Sequence, residues 1–168
     1  SGAAGYLLVL SGLVIGLGAP VLAGLTSRMD RRSLLAAALL IGAAGHVASA
    51  LSTSFPALMS ARVAIAAAAA VFGPQAAATV TVLVPPARRD ASIAFIFIGW
   101  SLAMIIGLPA SGLIAADFGW QAAHMLMSAV CGASAGLLWS ALPSGRHTEP
   151  VSLCAWQAAV GNPVILLL

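Results

Sequence analysis

Lysine is absent from this chain, and charge of either sign is scarce. Seven arginines and four acidic residues make up only 7% of the 168 residues, against roughly a quarter in an ordinary soluble domain. So little charge cannot cover the outside of a water-soluble fold. Disorder is excluded as well, because 61% of the residues are hydrophobic. The pI of 9.7 does not signal nucleic-acid binding: the net charge is only +3, and the arginines sit in separated segments instead of one basic stripe. Two cysteines, Cys131 and Cys154, lack the paired spacing of a zinc site or a disulfide framework. What remains is a mean hydropathy of +1.07, carried by long apolar runs, and this points to a polytopic membrane protein.

Five runs are long enough to cross a bilayer as helices, which takes about 20 apolar residues each. They cover approximately 4–25, 34–51, 55–84, 93–116 and 121–142. A segment at 143–157 then forms a loop, and 158–168 starts a further apolar run. The runs are rich in Ala, Leu and Gly and show no two-residue alternation, which excludes a β-barrel. The fold expected is an all-α membrane bundle of five spans plus the start of a sixth. The third run is over-long, so a kink is expected at Gly73-Pro74. Ser1 is not an initiator methionine and the last run stops abruptly, so the chain reads as part of a longer protein.

Every loop arginine falls in an alternate connection. Arg28, Arg31 and Arg32 follow the first span, Arg88 and Arg89 follow the third, and Arg146 follows the fifth. Cytoplasmic loops carry the excess of Arg and Lys, so these three loops are expected on the cytoplasmic side. The pattern Gly-x-Pro-x-x-small occurs at Gly18–Ala23 and again at Gly107–Gly112, three spans apart. Spans three apart run in opposite directions, as in the inverted repeats of secondary transporters.

Gly99, Ala103, Gly107 and Ser111 recur every four residues along the fourth span and form a smooth stripe that another helix could approach closely. Pro109 lies beside it and frees a backbone carbonyl. Arg62 is the one fully charged side chain well inside a span, and small residues continue its face, so it is expected to point into the bundle. His46 and His124 also lie within spans. Each has no second ligand nearby in sequence, which favours hydrogen-bonded structural roles over metal binding. No carboxylate lies deep in a span: Asp30, Asp90, Asp117 and Glu149 fall in loops or at span ends. A membrane enzyme built on paired carboxylates is therefore not expected, and neither is a bound cofactor or metal.

Three stretches together resemble the major facilitator superfamily, in particular its twelve-helix bacterial drug:proton antiporters and arabinose-efflux-permease-like members. Ala23–Arg32 looks like the signature loop between helices two and three, with Arg28, Arg31 and Arg32 matching. Ser27 stands where the family has Asp, and Asp30 where it has Gly. Arg62 matches the arginine of the helix-four motif, although alanines such as Ala66 replace the Gln-Gly that follows it. Gly99, Gly107, Pro109 and Gly112 fit the helix-five antiporter motif. The resemblance covers nearly the whole chain, as helices two to six and the start of helix seven.

The resemblance implies a secondary transporter of the bacterial inner membrane. It would exchange a small organic substrate for protons by alternating access, with the lipid bilayer and an absent C-terminal half as its partners. The loop residues Arg28, Asp30, Arg31 and Arg32 would belong to a cytoplasmic gate, and Arg62 to the cavity or coupling network. The motif residues of helix five would face the absent half. The first, third and fourth spans would line the cavity, leaving the second and fifth peripheral. The alternative is a non-transporting membrane protein that acts as an assembly or regulatory partner.

Overall fold

Apolar runs of this length satisfy their backbone in lipid only as helices or closed barrels, and this chain forms helices. The computed structural model describes residues 2–26 and 29–145. Helix α1 spans Gly2–Thr26, α2 Arg31–Ala50 and α3 Phe55–Leu83. After a short 3-10 turn at Pro86–Arg88, the fourth span runs as α4 (Arg89–Leu102), a π turn (Ala103–Gly107) and α5 (Leu108–Phe118). Helix α6 covers Trp120–Ala141. No strand occurs among the described residues, as an all-α membrane protein requires. Four spans there are long and apolar enough to cross a membrane, and α1 is a fifth apolar helix of 25 residues. The expected loop at 143–157 and the start of the next run lie almost wholly outside the described residues.

Local chemistry explains where the helices begin. Asp30 is the N-cap of α2, with Oδ2 accepting from the Ser33 amide and hydroxyl, both at 3.2 Å. Ser54 caps α3 by accepting from the Ala57 amide at 3.4 Å. Both caps satisfy amides that have no partner inside the helix. Between α5 and α6 there is only Gly119, at φ 87° and ψ 156°. A residue with a Cβ would be strained there, so glycine lets the chain reverse without a loop.

Helix α3 continues through Gly73-Pro74, and a departure from α geometry falls in the fourth span. Pro109 has no amide to give the Ile105 carbonyl, and its ring crowds that carbonyl. The turn before it widens, so that the Leu108 amide bonds to the Ala103 carbonyl, five residues back.

The buried core lies along α2 and α3. Leu34, Ala38 and Val71 form its apolar centre, with Leu22 and Phe72 packed on it. Gly45 sets the closest approach of α2 and α3: a Cβ placed there would lie 2.7 Å from Ile65 Cγ1 and 3.3 Å from the Ala61 carbonyl. Helix α6 packs on the other side of α2, α1 packs on α3, and the fourth span meets α3 through α4 and α6 through α5. No residue of the fourth span is buried.

Candidate functional site

The α2–α3–α6 packing brings together three polar side chains far apart in sequence. His46 Nδ1 on α2 lies 2.9 Å from His124 Nδ1 on α6. Arg62 Nη2 on α3 lies 3.4 Å from His124 Nε2. Trp120, one turn before His124, meets its ring edge-on at 5.8 Å between centroids. His46 and His124, 78 residues apart in the chain, thus come together ring to ring.

The tautomers follow from the partners. A guanidinium only donates, so His124 Nε2 accepts from Arg62 and its proton sits on Nδ1. That Nδ1–H donates to His46 Nδ1, which leaves the His46 proton on Nε2. The three side chains form one directional chain of donors, from Arg62 through His124 to His46. Among the described residues no third His, Cys, Asp or Glu joins them in a metal-ligand group.

The cluster lines a cavity of about 410 Å³. The fourth span closes it with Leu108, Ser111, Gly112 and Ala115, and α6 adds Trp120, Ala123 and Met127. Arg62 lines the cavity, and its polar partner is on α6 and not on the first or fourth span. The spans expected to be peripheral, α2 and α6, supply both histidines.

A second polar cluster lies at the opposite end of the bundle. Arg31 is 1% exposed, and its guanidinium donates to Gln75 Oε1. Gln75, buried on α3, donates in turn to Thr26 Oγ1 of α1 at 3.3 Å, and Thr26 donates to the Leu22 carbonyl at 2.6 Å. Asp30 Oδ1 accepts from the Gly145 amide at 2.7 Å, tying the α2 cap to the loop after α6. Arg32 lies over the Trp139 ring of α6, 4.2 Å from its centroid, as a cation–π contact. Three loop residues expected at a gate, Asp30, Arg31 and Arg32, are thus gathered at one end. Arg28 lies outside the described residues. Nothing in the sequence singles out Gln75 or Trp139.

The remaining expected residues lie along the fourth span, which has no buried residue. Gly99 and Gly112 are exposed, Gly107 is partly so, and a Cβ at any of the three would meet nothing within 4 Å. Pro109 is exposed beside them. Of the stripe, only Ser111 reaches the cavity, together with neighbouring Gly112.

The family model of the Major Facilitator Superfamily matches residues 1–168. The chain belongs to this superfamily. Major facilitator proteins are membrane transporters, not enzymes. Among its relatives, a chloramphenicol resistance protein of Streptomyces lividans is 33% identical over 161 residues, covering 94% of this chain and 41% of that protein. An uncharacterised MFS-type transporter of Bacillus subtilis is 35% identical over 127 residues, 76% of this chain and 32% of its own length. A probable sugar efflux transporter of Pasteurella multocida is 30% identical over 142 residues, 84% and 35% respectively. The chain thus spans about a third to two-fifths of the length of these relatives.

Proposed function

We propose that this major facilitator chain is part of a secondary transporter that exports a small organic molecule in exchange for protons. It would do so by alternating access in a bacterial cytoplasmic membrane. The observation that carries the reading is the fourth span. A helix in lipid gains from a smooth stripe only when another backbone fills it, and Gly99 and Gly107 are unfilled here. In this reading a further segment of the same protein, its C-terminal half, covers that face when the transporter closes. The Asp30–Arg32 cluster faces the cytoplasm as part of the gate, and Arg62 lines the cavity.

The relatives named for chloramphenicol resistance and sugar efflux suggest the first compounds to test. The full-length protein in proteoliposomes is expected to move chloramphenicol or a sugar only when a pH gradient is imposed. Gly107→Leu is expected to reduce that movement while leaving thermal stability near wild type, because the new side chain enters open space in this half. No gradient-driven movement of either compound, or full transport by Gly107→Leu, refutes the reading.

A further inference from the structure

Arg62 is a fixed positive charge inside a span, and its only side-chain partner among the described residues is a neutral imidazole. Its Nε is buried with no acceptor. The donor chain ends on His46, whose Nε2 carries the proton. Of the residues lining the cavity, Ser111 has the only side-chain oxygen, and that hydroxyl already donates to the Leu108 carbonyl at 2.8 Å. The cavity therefore offers donors and one uncompensated cation, and almost nothing that accepts. A buried charge is stable when a group of opposite sign and matching hydrogen-bonding capacity meets it.

We propose that this cavity is a binding site for a small organic monocarboxylate. The carboxylate accepts from the Arg62 guanidinium, and His46, one imidazole further along, lines the same cavity. A planar carboxylate matches the guanidinium fork. One guanidinium compensates one negative charge, so a monoanion fits better than a dianion such as phosphate. The remaining walls, Leu108, Trp120 and Met127, suit an apolar body. A volume of about 410 Å³ holds a ring-sized molecule with room for water.

The inference concerns occupancy of the cavity, and it stands or falls on binding whichever compound is exported. Equilibrium binding to the full-length protein in lipid nanodiscs tests it with three probes: benzoate, benzamide and inorganic phosphate. Benzoate is expected to bind saturably at one site, at least about tenfold more tightly than benzamide, which is the value of one charge-assisted hydrogen bond. Phosphate is expected to bind more weakly than benzoate. Arg62→Gln is expected to bring benzoate down to the level of benzamide, and His46→Phe to weaken it less. The comparison of benzoate with benzamide uses the wild-type protein, so it holds even if a variant misfolds. Benzoate binding no tighter than benzamide, phosphate binding better than benzoate, or a folded Arg62→Gln variant binding benzoate unchanged would each overturn the proposal. A carboxylate from another segment of the protein filling the cavity would appear as no benzoate binding, and so also counts against it. Normal benzoate binding in a protein that moves no compound would sink the transport reading and leave this one intact.

Discussion

Gly45 is the position where one methyl group should cost most. In Gly45→Ala the new Cβ would sit 2.7 Å from Ile65 Cγ1 and 3.3 Å from the Ala61 carbonyl oxygen. Carbon atoms rest about 3.5–4.0 Å apart, so the overlap with Ile65 is about 0.8 Å or more. Ile65 cannot easily swing away, because a β-branched side chain in a helix has one strongly preferred rotamer. The Ala61 carbonyl is backbone and cannot rotate at all. Helices α2 and α3 must therefore part along the crossing that carries the core. Overpacking of this kind costs about 1–3 kcal/mol, and replacing Gly by Ala in a helix returns about 1 kcal/mol. The net expectation is a loss of about 1 kcal/mol for Gly45→Ala and about 3 kcal/mol for Gly45→Val, whose extra carbons point into the same contact. Gly136→Ala on α6 is the control: its Cβ meets nothing within 4 Å, so it should be neutral or stabilise by up to about 1 kcal/mol. Denaturant unfolding of the full-length protein in detergent, followed by helical circular dichroism, reads all three. If Gly45→Ala is as stable as Gly136→Ala, the α2–α3 crossing is not as close as described and the reasoning fails.

Gln75→Leu removes the acceptor of a buried arginine and the link from Arg31 to Thr26, and should destabilise by about 1–3 kcal/mol in the same unfolding assay. Gln75→Glu keeps the acceptor and should be tolerated better; equal loss in both variants would mean that packing, not the hydrogen bond, matters there. Single cysteines at Ala87 and Ser144 are expected to react with impermeant thiol reagents from the cytoplasmic side only, and one at Thr53 from the opposite side only. All three positions are exposed, so labelling of Thr53 and Ser144 from one side would reject the proposed topology.

The helices were readable because their signals are local. Each apolar run is long, Pro85-Pro86 ends the third, and Gly119 marks the reversal between the fourth and fifth. The shift to π geometry was only half readable: Pro109 announces a carbonyl without its donor, but not which turn will widen to accommodate it. The histidine pair was not readable. Residue spacing tells which side chains share a face of one helix, and says nothing about which face of another helix will meet it. His46 and His124 each look solitary until α2 and α6 are packed together. The same gap governs the glycines. Gly42 and Gly45 on α2 and Gly99 and Gly107 on the fourth span look equally suited to close contact. Only the packed bundle distinguishes the approach filled by Ile65 from the faces left open.

The two ends of the bundle treat their arginines differently, and the difference bears on the proposed transport. At the Asp30 end, Arg31 is spent on Gln75 and Arg32 on Trp139, contacts made within this part of the protein. They hold α1, α2, α3 and α6 against one another, so that end can move as a rigid block. At the other end, Arg62 leans on a neutral imidazole beside a cavity whose wall is the fourth span. That wall has no buried residue to anchor it, and its helix changes register at Ala103–Gly107, just before it reaches the cavity. A π turn is a place where a helix can gain or lose a hydrogen-bond step at modest cost, and such turns are frequent at functional sites. A ligand that bridged Arg62 to the fourth span would therefore act on the least anchored helix at the point where it is least regular. Alternating access needs that combination: a rigid block, a movable wall, and a site whose occupancy changes the contacts between them.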